Sequence, residues 1–209
     1  MRRRGYQLIR DLHLYLGLFI SPFVLAFAVS VFVLLHWWLP QQDAGSPSVS
    51  TVEGVSLPDD LESLSGLKRI ESLRPVLRGF GVEGEVGGIR HNRRQRRLVI
   101  PVNVPGQETI VTLDLAKPEA AITRRATGLA DGLVLLHMSP GQHMADIRGN
   151  WFYMRLWSWL ADATVYFTLF LTVSGLYLWY VLRAERKIGV LLLAVGAITF
   201  AGLAWSLWH

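Results

Sequence analysis

The sequence of 209 residues contains no cysteine. Without a thiol the chain cannot form a disulfide, use a cysteine nucleophile, ligate an iron–sulfur cluster or attach a c-type haem covalently. Charged residues are also scarce, at 18% of the chain, against about a quarter in soluble proteins. Hydrophobic residues make up 51%. This balance is too apolar for a soluble domain of the same length.

Charge is missing altogether from three stretches of the chain, residues 14–39, 163–182 and 188–208. A helix needs about 20 apolar residues to cross the hydrocarbon core of a bilayer, and each stretch is long enough. A core helix of a small soluble domain would not be apolar on every side. The sequence therefore predicts three transmembrane helices.

The short basic flanks of these stretches predict their orientation. Arginines precede the first stretch, and two arginines and a lysine separate the second from the third. By the positive-inside rule both flanks are cytoplasmic, which places residues 40–157 and the C-terminus outside. A cleaved signal peptide is the competing interpretation, but its apolar region would be shorter than residues 14–39.

The segment between the first two stretches has the composition of a small folded domain. A Ser-, Gly- and Pro-rich linker is followed by leucines at helical spacing and then by four strand-like segments, 86–90, 98–104, 109–115 and 121–125, with a turn at Pro105-Gly106. The predicted fold class is thus a membrane α-helical protein with three transmembrane helices and a small periplasmic α+β insert between the first and second. The predicted divisions are 1–40 for the first helix, 41–56 for the linker, 57–128 for the insert, 129–160 for an interfacial segment, 161–187 for the second helix with its loop, and 188–209 for the third helix.

Three short motifs resemble those of a known family. Residues 12–18, Leu-His-Leu-Tyr-Leu-Gly-Leu, are similar to a Leu-His-x-x-x-Gly-Leu helix opening. Residues 136–137, Leu-His, and 174–179, Ser-Gly-Leu-Tyr-Leu-Trp, are similar to the Leu-His and Ser-Gly-Leu-x-x-Trp motifs that follow it, and the insert resembles a PepSY domain. Nearly the whole chain up to about residue 187 resembles the PepSY-associated transmembrane family of the bacterial inner membrane.

The resemblance implies a redox function. Larger members are implied to be reductases of ferric siderophores that carry b-type haem between their helices, whereas this chain is short, with three spans and one insert. We therefore expect a b-type haem-binding electron-transfer subunit that supports reduction of periplasmic ferric complexes. The alternative is a non-catalytic accessory subunit that docks a partner through its insert.

Histidines at one membrane depth are the candidate ligands of that haem. His36 lies near the outer end of the first stretch, and His137 lies in the segment that approaches the second stretch from the same side. Two neutral imidazoles suffice to hold a b-type haem. His143 is the reserve ligand, and Arg148 and Arg155 are expected to pair with the propionates. An interfacial imidazole beside tryptophans is the competing interpretation of His36.

Other functions find little support in the sequence. His13 is expected to be solvated at headgroup level, and the segment 163–207 contains no histidine to face it. The cluster of His137, His143 and Asp146 matches no zinc motif, and nucleotide-binding and serine-hydrolase motifs are absent. The Arg-rich segment 90–97 lies outside the membrane in this topology, so nucleic acid is not an expected partner. The expected partners are the lipid bilayer, a membrane protein or a second copy of the chain, and a quinol or ferric siderophore.

Overall fold

The computed structural model describes residues 3–36, 46–58, 61–139, 146–182 and 185–208. These residues form five helices and six strands. Their order is α1 (Arg3–Leu35), β1 (Ser48–Glu53), α2 (Gly66–Gly79), β2 (Glu85–Val86), β3 (Arg90–Asn92), β4 (Arg97–Val104), β5 (Gln107–Asp114), β6 (Glu119–Ala126), α3 (Leu129–Met138), α4 (Phe152–Leu182) and α5 (Arg186–Trp208).

Three of the helices, α1, α4 and α5, are long and apolar enough to cross a membrane. The shortest of them, α5, has 23 residues, which at a rise of about 1.5 Å per residue exceeds the roughly 30 Å of a bilayer core. Helix α4 begins at Phe152, earlier than its charge-free stretch. The segment predicted as interfacial, 129–160, therefore contains α3 and the first turns of α4.

The insert is an antiparallel sheet with strand order β1-β6-β5-β4-β2, and β3 also pairs with β4. The central pairing joins β4 to β5 through the turn at Pro105-Gly106, with Val104 opposite Gln107. Gly106 has a φ of 92°, a conformation that glycine adopts without a steric cost. The predicted hairpin turn is thus confirmed.

One face of the sheet and one side of α2 form the core of the insert. Ile70, Leu73 and Leu77 recur at helical spacing and are buried. Alternate residues of the strands lie opposite them, which is the period of two that a half-buried strand requires. The buried strand residues in this cluster are Val86, Leu98, Ile100, Val102, Val111, Leu113, Ala120 and Ile122.

Two predicted boundaries in the insert differ from the structure. Residues 48–53 of the predicted linker form β1, which pairs with β6 from Ser48 opposite Arg124 to Glu53 opposite Glu119. Helix α2 begins at Gly66 rather than near residue 57. Leu61 lies before the helix, in a turn, and only 2% of its surface is exposed because it packs into the core.

The chain divides into two compact units, Met1–Ser21 with Val165–His209, and Pro22–Thr164. In the first unit the ring of Phe19 lies edge-on to that of Phe167, with 6.3 Å between centroids. None of the described residues of α5 is buried. The second unit holds the insert, α3 and the adjoining parts of α1 and α4.

Candidate functional site

The imidazole of His137 is held by a serine from another helix. Its Nδ1 atom lies 3.1 Å from the hydroxyl oxygen of Ser30, which belongs to α1. Ser30 is 2% exposed, and its hydroxyl donates a hydrogen bond of 2.7 Å to the carbonyl of Phe27. These contacts form a short relay from His137 of α3 through the buried Ser30 to the carbonyl of Phe27.

The relay assigns the tautomer of His137. A serine hydroxyl has one proton, and the shorter contact commits that proton to the Phe27 carbonyl. The hydroxyl oxygen then accepts from Nδ1–H, so in the neutral form of the ring the free lone pair lies on Nε2. Metal-binding histidines use this arrangement, in which the second ring nitrogen donates to a protein oxygen.

Aromatic side chains pack around the same imidazole. The ring of Phe27 lies edge-on to His137 at 5.9 Å and against the ring of Trp157 at 5.5 Å. The indole N–H of Trp157 donates 2.8 Å to the carbonyl of Leu136, the residue before His137. Side chains from α1 and α4 therefore fix both the ring and the backbone of this part of α3.

His36 directly follows the last residue of α1. Its Nδ1 atom is 2.7 Å from the carbonyl of Phe32, and its ring stacks on that of Phe32 at 4.0 Å. The pairing of His36 with His137 as haem ligands stays a prediction. His143 lies outside the described residues.

The two predicted arginines lie near the start of α4. Arg155 is exposed and donates 3.1 Å from Nε to the carbonyl of Gly149. Arg148 is half-buried and lines a cleft of about 140 Å³ together with Glu85, Met138 and Met154. A cavity of about 150 Å³ holds a benzene molecule, so this cleft is too small for a porphyrin.

A second histidine–serine pair was not predicted. Nδ1 of His13 in α1 lies 2.8 Å from the hydroxyl of Ser174 in α4, and that hydroxyl also contacts the carbonyl of Leu171 at 3.3 Å. His13 is half-buried rather than solvated. A Cβ atom on Gly175 would lie 3.4 Å from the His13 ring, at van der Waals contact, so Gly175 packs directly beside this imidazole.

Glu85 and Asn150 tie the insert to the start of α4. The Glu85 carboxylate accepts backbone N–H groups of Gly149, Asn150 and Trp151 at 2.6, 3.3 and 2.7 Å. The side-chain amide of Asn150 accepts a hydrogen bond from the N–H of Val86 at 3.0 Å and donates one to the carbonyl of Val86 at 2.8 Å, as the backbone of a neighbouring strand would. This connection holds the α4 terminus against β2.

Metal ligands do not cluster in the part of the chain that the structure describes, where no group of three or more His, Asp or Glu side chains could hold an ion. The predicted cluster of His137, His143 and Asp146 falls partly outside that part. Within the described part, the candidate ligand is a single imidazole, that of His137, whose tautomer the contact with Ser30 assigns.

Comparison of the chain with family models, curated proteins and solved structures gives no match. The similarity to the PepSY-associated transmembrane family therefore stays a prediction from the three motifs. Two of those motifs, Leu12-His13 and Ser174-Gly175, are in contact in the structure.

Proposed function

We propose that the chain is a b-type haem-binding electron-transfer subunit that crosses the bacterial inner membrane three times, with its insert and C-terminus in the periplasm. The observation that carries this proposal is the relay from His137 through Ser30 to the Phe27 carbonyl. The three long apolar helices and the basic flanks support the membrane topology.

Within this function His137 would hold the haem iron through Nε2, and Ser30 would be a positioning residue. Ser30 keeps Nδ1 protonated and the ring turned, so that Nε2 is available. A bound haem would supply one-electron transfer. The second ligand is His36, as the sequence predicts, with His143 in reserve.

The resemblance to the PepSY-associated family supports a physiological context. Electrons from a quinol or a membrane partner would pass outward and support reduction of ferric siderophore complexes. The small size of the cleft beside Arg148 argues that such a complex does not bind there.

Absorption spectroscopy of the detergent-purified protein from haem-replete cells tests the proposal. A reduced-minus-oxidised spectrum with b-type bands is expected, and His137→Ala and His36→Ala should each abolish it. Ser30→Ala should weaken haem retention by about 10–100-fold, the usual effect of removing the partner of a ligand. Ser21→Ala is the matched control, because Ser21 also donates to a carbonyl three residues before it but is exposed.

A colourless wild-type protein would overturn haem binding and leave the second candidate function, that of an accessory subunit. One observation favours this candidate independently. The insert is a folded unit bonded to the start of α4 through Glu85 and Asn150, so a partner bound to the insert would act directly on a membrane-length helix.

A further inference from the structure

The turn between β3 and β4 concentrates positive charge. Residues 90–97 contain five arginines and no acidic residue, and the whole chain has a formal net charge of +5. Elsewhere in the chain the basic and acidic residues therefore balance. The excess charge of the protein resides in one short hairpin.

Only part of this charge has a partner among the described residues. Arg96 lies 3.8 Å from Glu62, and Arg97 lies 3.6 Å from Asp114. Both arginine side chains are more than half exposed, and pairs of this kind contribute little to stability.

The remaining three arginines, Arg90, Arg93 and Arg94, are exposed, and the salt bridges of the described residues do not include them. They line an open depression with His91, Asn92 and Val99.

The turn is built to hold these side chains in place. The side chain of Asn92 bonds Gln95 twice, accepting its backbone N–H at 3.2 Å and donating to its side-chain oxygen at 3.0 Å. Arg96 adopts a φ of 48°, which closes the turn. An ordered turn lowers the entropy lost when its side chains bind a partner.

The turn lies at the end of the sheet away from the points where the insert connects to the rest of its own unit. Strand β1, which follows α1, starts opposite Arg124, and the chain leaves β6 toward α3 beside Gly106. The start of α4 is bonded to Val86, opposite Val102. All three connections lie toward the Val104 end of β4, whereas Arg93 and Arg94 lie beyond its Arg97 end and Arg90 lies opposite Val99.

Strand β4 has eight residues, so its two ends lie roughly 25 Å apart at the usual rise per residue. This distance exceeds the Debye length of about 8 Å at physiological ionic strength, so headgroups at the helix end would be screened from the turn.

We infer that the β3–β4 turn docks an acidic segment of a partner protein, with Arg90, Arg93 and Arg94 pairing to its carboxylates. All five cations of the turn are arginine rather than lysine. Guanidinium groups bind carboxylates through two parallel hydrogen bonds, and arginine is enriched at protein interfaces. The inference is independent of haem binding.

Fluorescence anisotropy of a labelled hexaglutamate peptide tests this surface on the full chain in phosphatidylcholine nanodiscs. The wild type should bind the peptide, more weakly as salt is added. The double variant Arg93→Ala/Arg94→Ala should weaken binding by about tenfold, as expected for the loss of two favourable ion pairs. The matched control Lys68→Ala/Arg78→Ala removes two exposed cations from α2 and should stay within about twofold.

Three results would overturn the inference. The first is an equal loss of binding in both double variants, which would make the attraction a property of the net charge. The second is weaker peptide binding in phosphatidylglycerol nanodiscs than in phosphatidylcholine nanodiscs at matched ionic strength, with both double variants affected equally. That result would place the turn at the lipid headgroups. The third is binding of heparin without binding of hexaglutamate, which would identify an anionic polysaccharide as the partner.

Discussion

At the scale of single residues, Glu85 shows two opposing effects on one carboxylate. Burial raises the pKa of the Glu85 carboxyl, while the three backbone N–H donors and the nearby Arg74 act to lower it, and burial prevails. The folded protein then retains its proton to a higher pH than the unfolded chain does. By linkage, the free energy of unfolding falls as pH rises through that interval.

We therefore expect the stability of the wild type to decrease from about pH 4.3, the ordinary pKa of glutamate, up to the raised value and then to level off. Glu85→Gln removes this titration, so the difference in unfolding free energy between wild type and variant should shrink as pH rises. Urea unfolding followed by tryptophan fluorescence between pH 4 and 7 measures it. Glu108→Gln, at an exposed pair with Arg125, is the control. Parallel curves for wild type and Glu85→Gln would contradict the expectation.

The histidine–serine relays show what residue types alone do not reveal. The sequence singled out His137 as a ligand, but Ser30 and Ser174 are small residues within charge-free stretches, where serine also serves helix packing. Their role depends on which helix faces lie together, and that is set by tertiary packing. The sequence contains one signal for a role of Ser174: together with Gly175 it belongs to the motif at 174–179 that resembles the PepSY-associated family.

At the scale of elements, Gly84 determines how closely β2 approaches β4. Its φ is 149°, and a Cβ atom there would lie 2.8 Å from both the carbonyl oxygen of Asn103 and a methyl group of Val104. Because the carbonyl belongs to the backbone of a paired strand, it cannot move without breaking the ladder.

Gly84→Ala should therefore lower the free energy of unfolding by about 2–4 kcal/mol, from overpacking together with backbone strain. Gly81→Ala is the matched control, since Gly81 has a φ of 64° and nothing within 4 Å of the added methyl group. It should cost only the strain, about 1–2 kcal/mol. Chemical denaturation of both variants measures the difference, and equal losses would show that the contact with β4 is relieved.

Elements that form through local patterns were predicted, and those that depend on distant partners were not. The strands β4, β5 and β6 alternate in burial and flank recognisable turns. Strand β1 is almost wholly exposed, so it has no alternation, and its pairing partner β6 lies about 70 residues away. The start of α2 was placed too early because Leu61 packs into the same core from a turn.

At the scale of the whole molecule, the three membrane-length helices and the insert between the first two have a topological consequence. If α1, α4 and α5 all cross the bilayer, the N-terminal flank and the α4–α5 connection share one side, and the insert and the end of α5 share the other. The basic flanks predict that the first side is cytoplasmic. The lack of cysteine makes this arrangement directly testable by thiol labelling, since the chain has no background reactivity.

Four single cysteines at exposed positions, Gln7→Cys, Ser50→Cys, Glu185→Cys and Trp208→Cys, probe the two sides. In intact spheroplasts a membrane-impermeant maleimide should label the cysteines at positions 50 and 208 and leave those at 7 and 185 unmodified until the membrane is permeabilised. The cysteines at positions 7 and 185 serve as the control for reactivity, because both should label fully once the membrane is permeabilised. Labelling at 50 without labelling at 208 would mean that α5 does not cross the bilayer, and labelling at 7 in intact spheroplasts would reverse the proposed orientation. Either outcome would contradict the placement of the insert and the end of α5 on one outer face, which three crossings and the positive-inside rule together require.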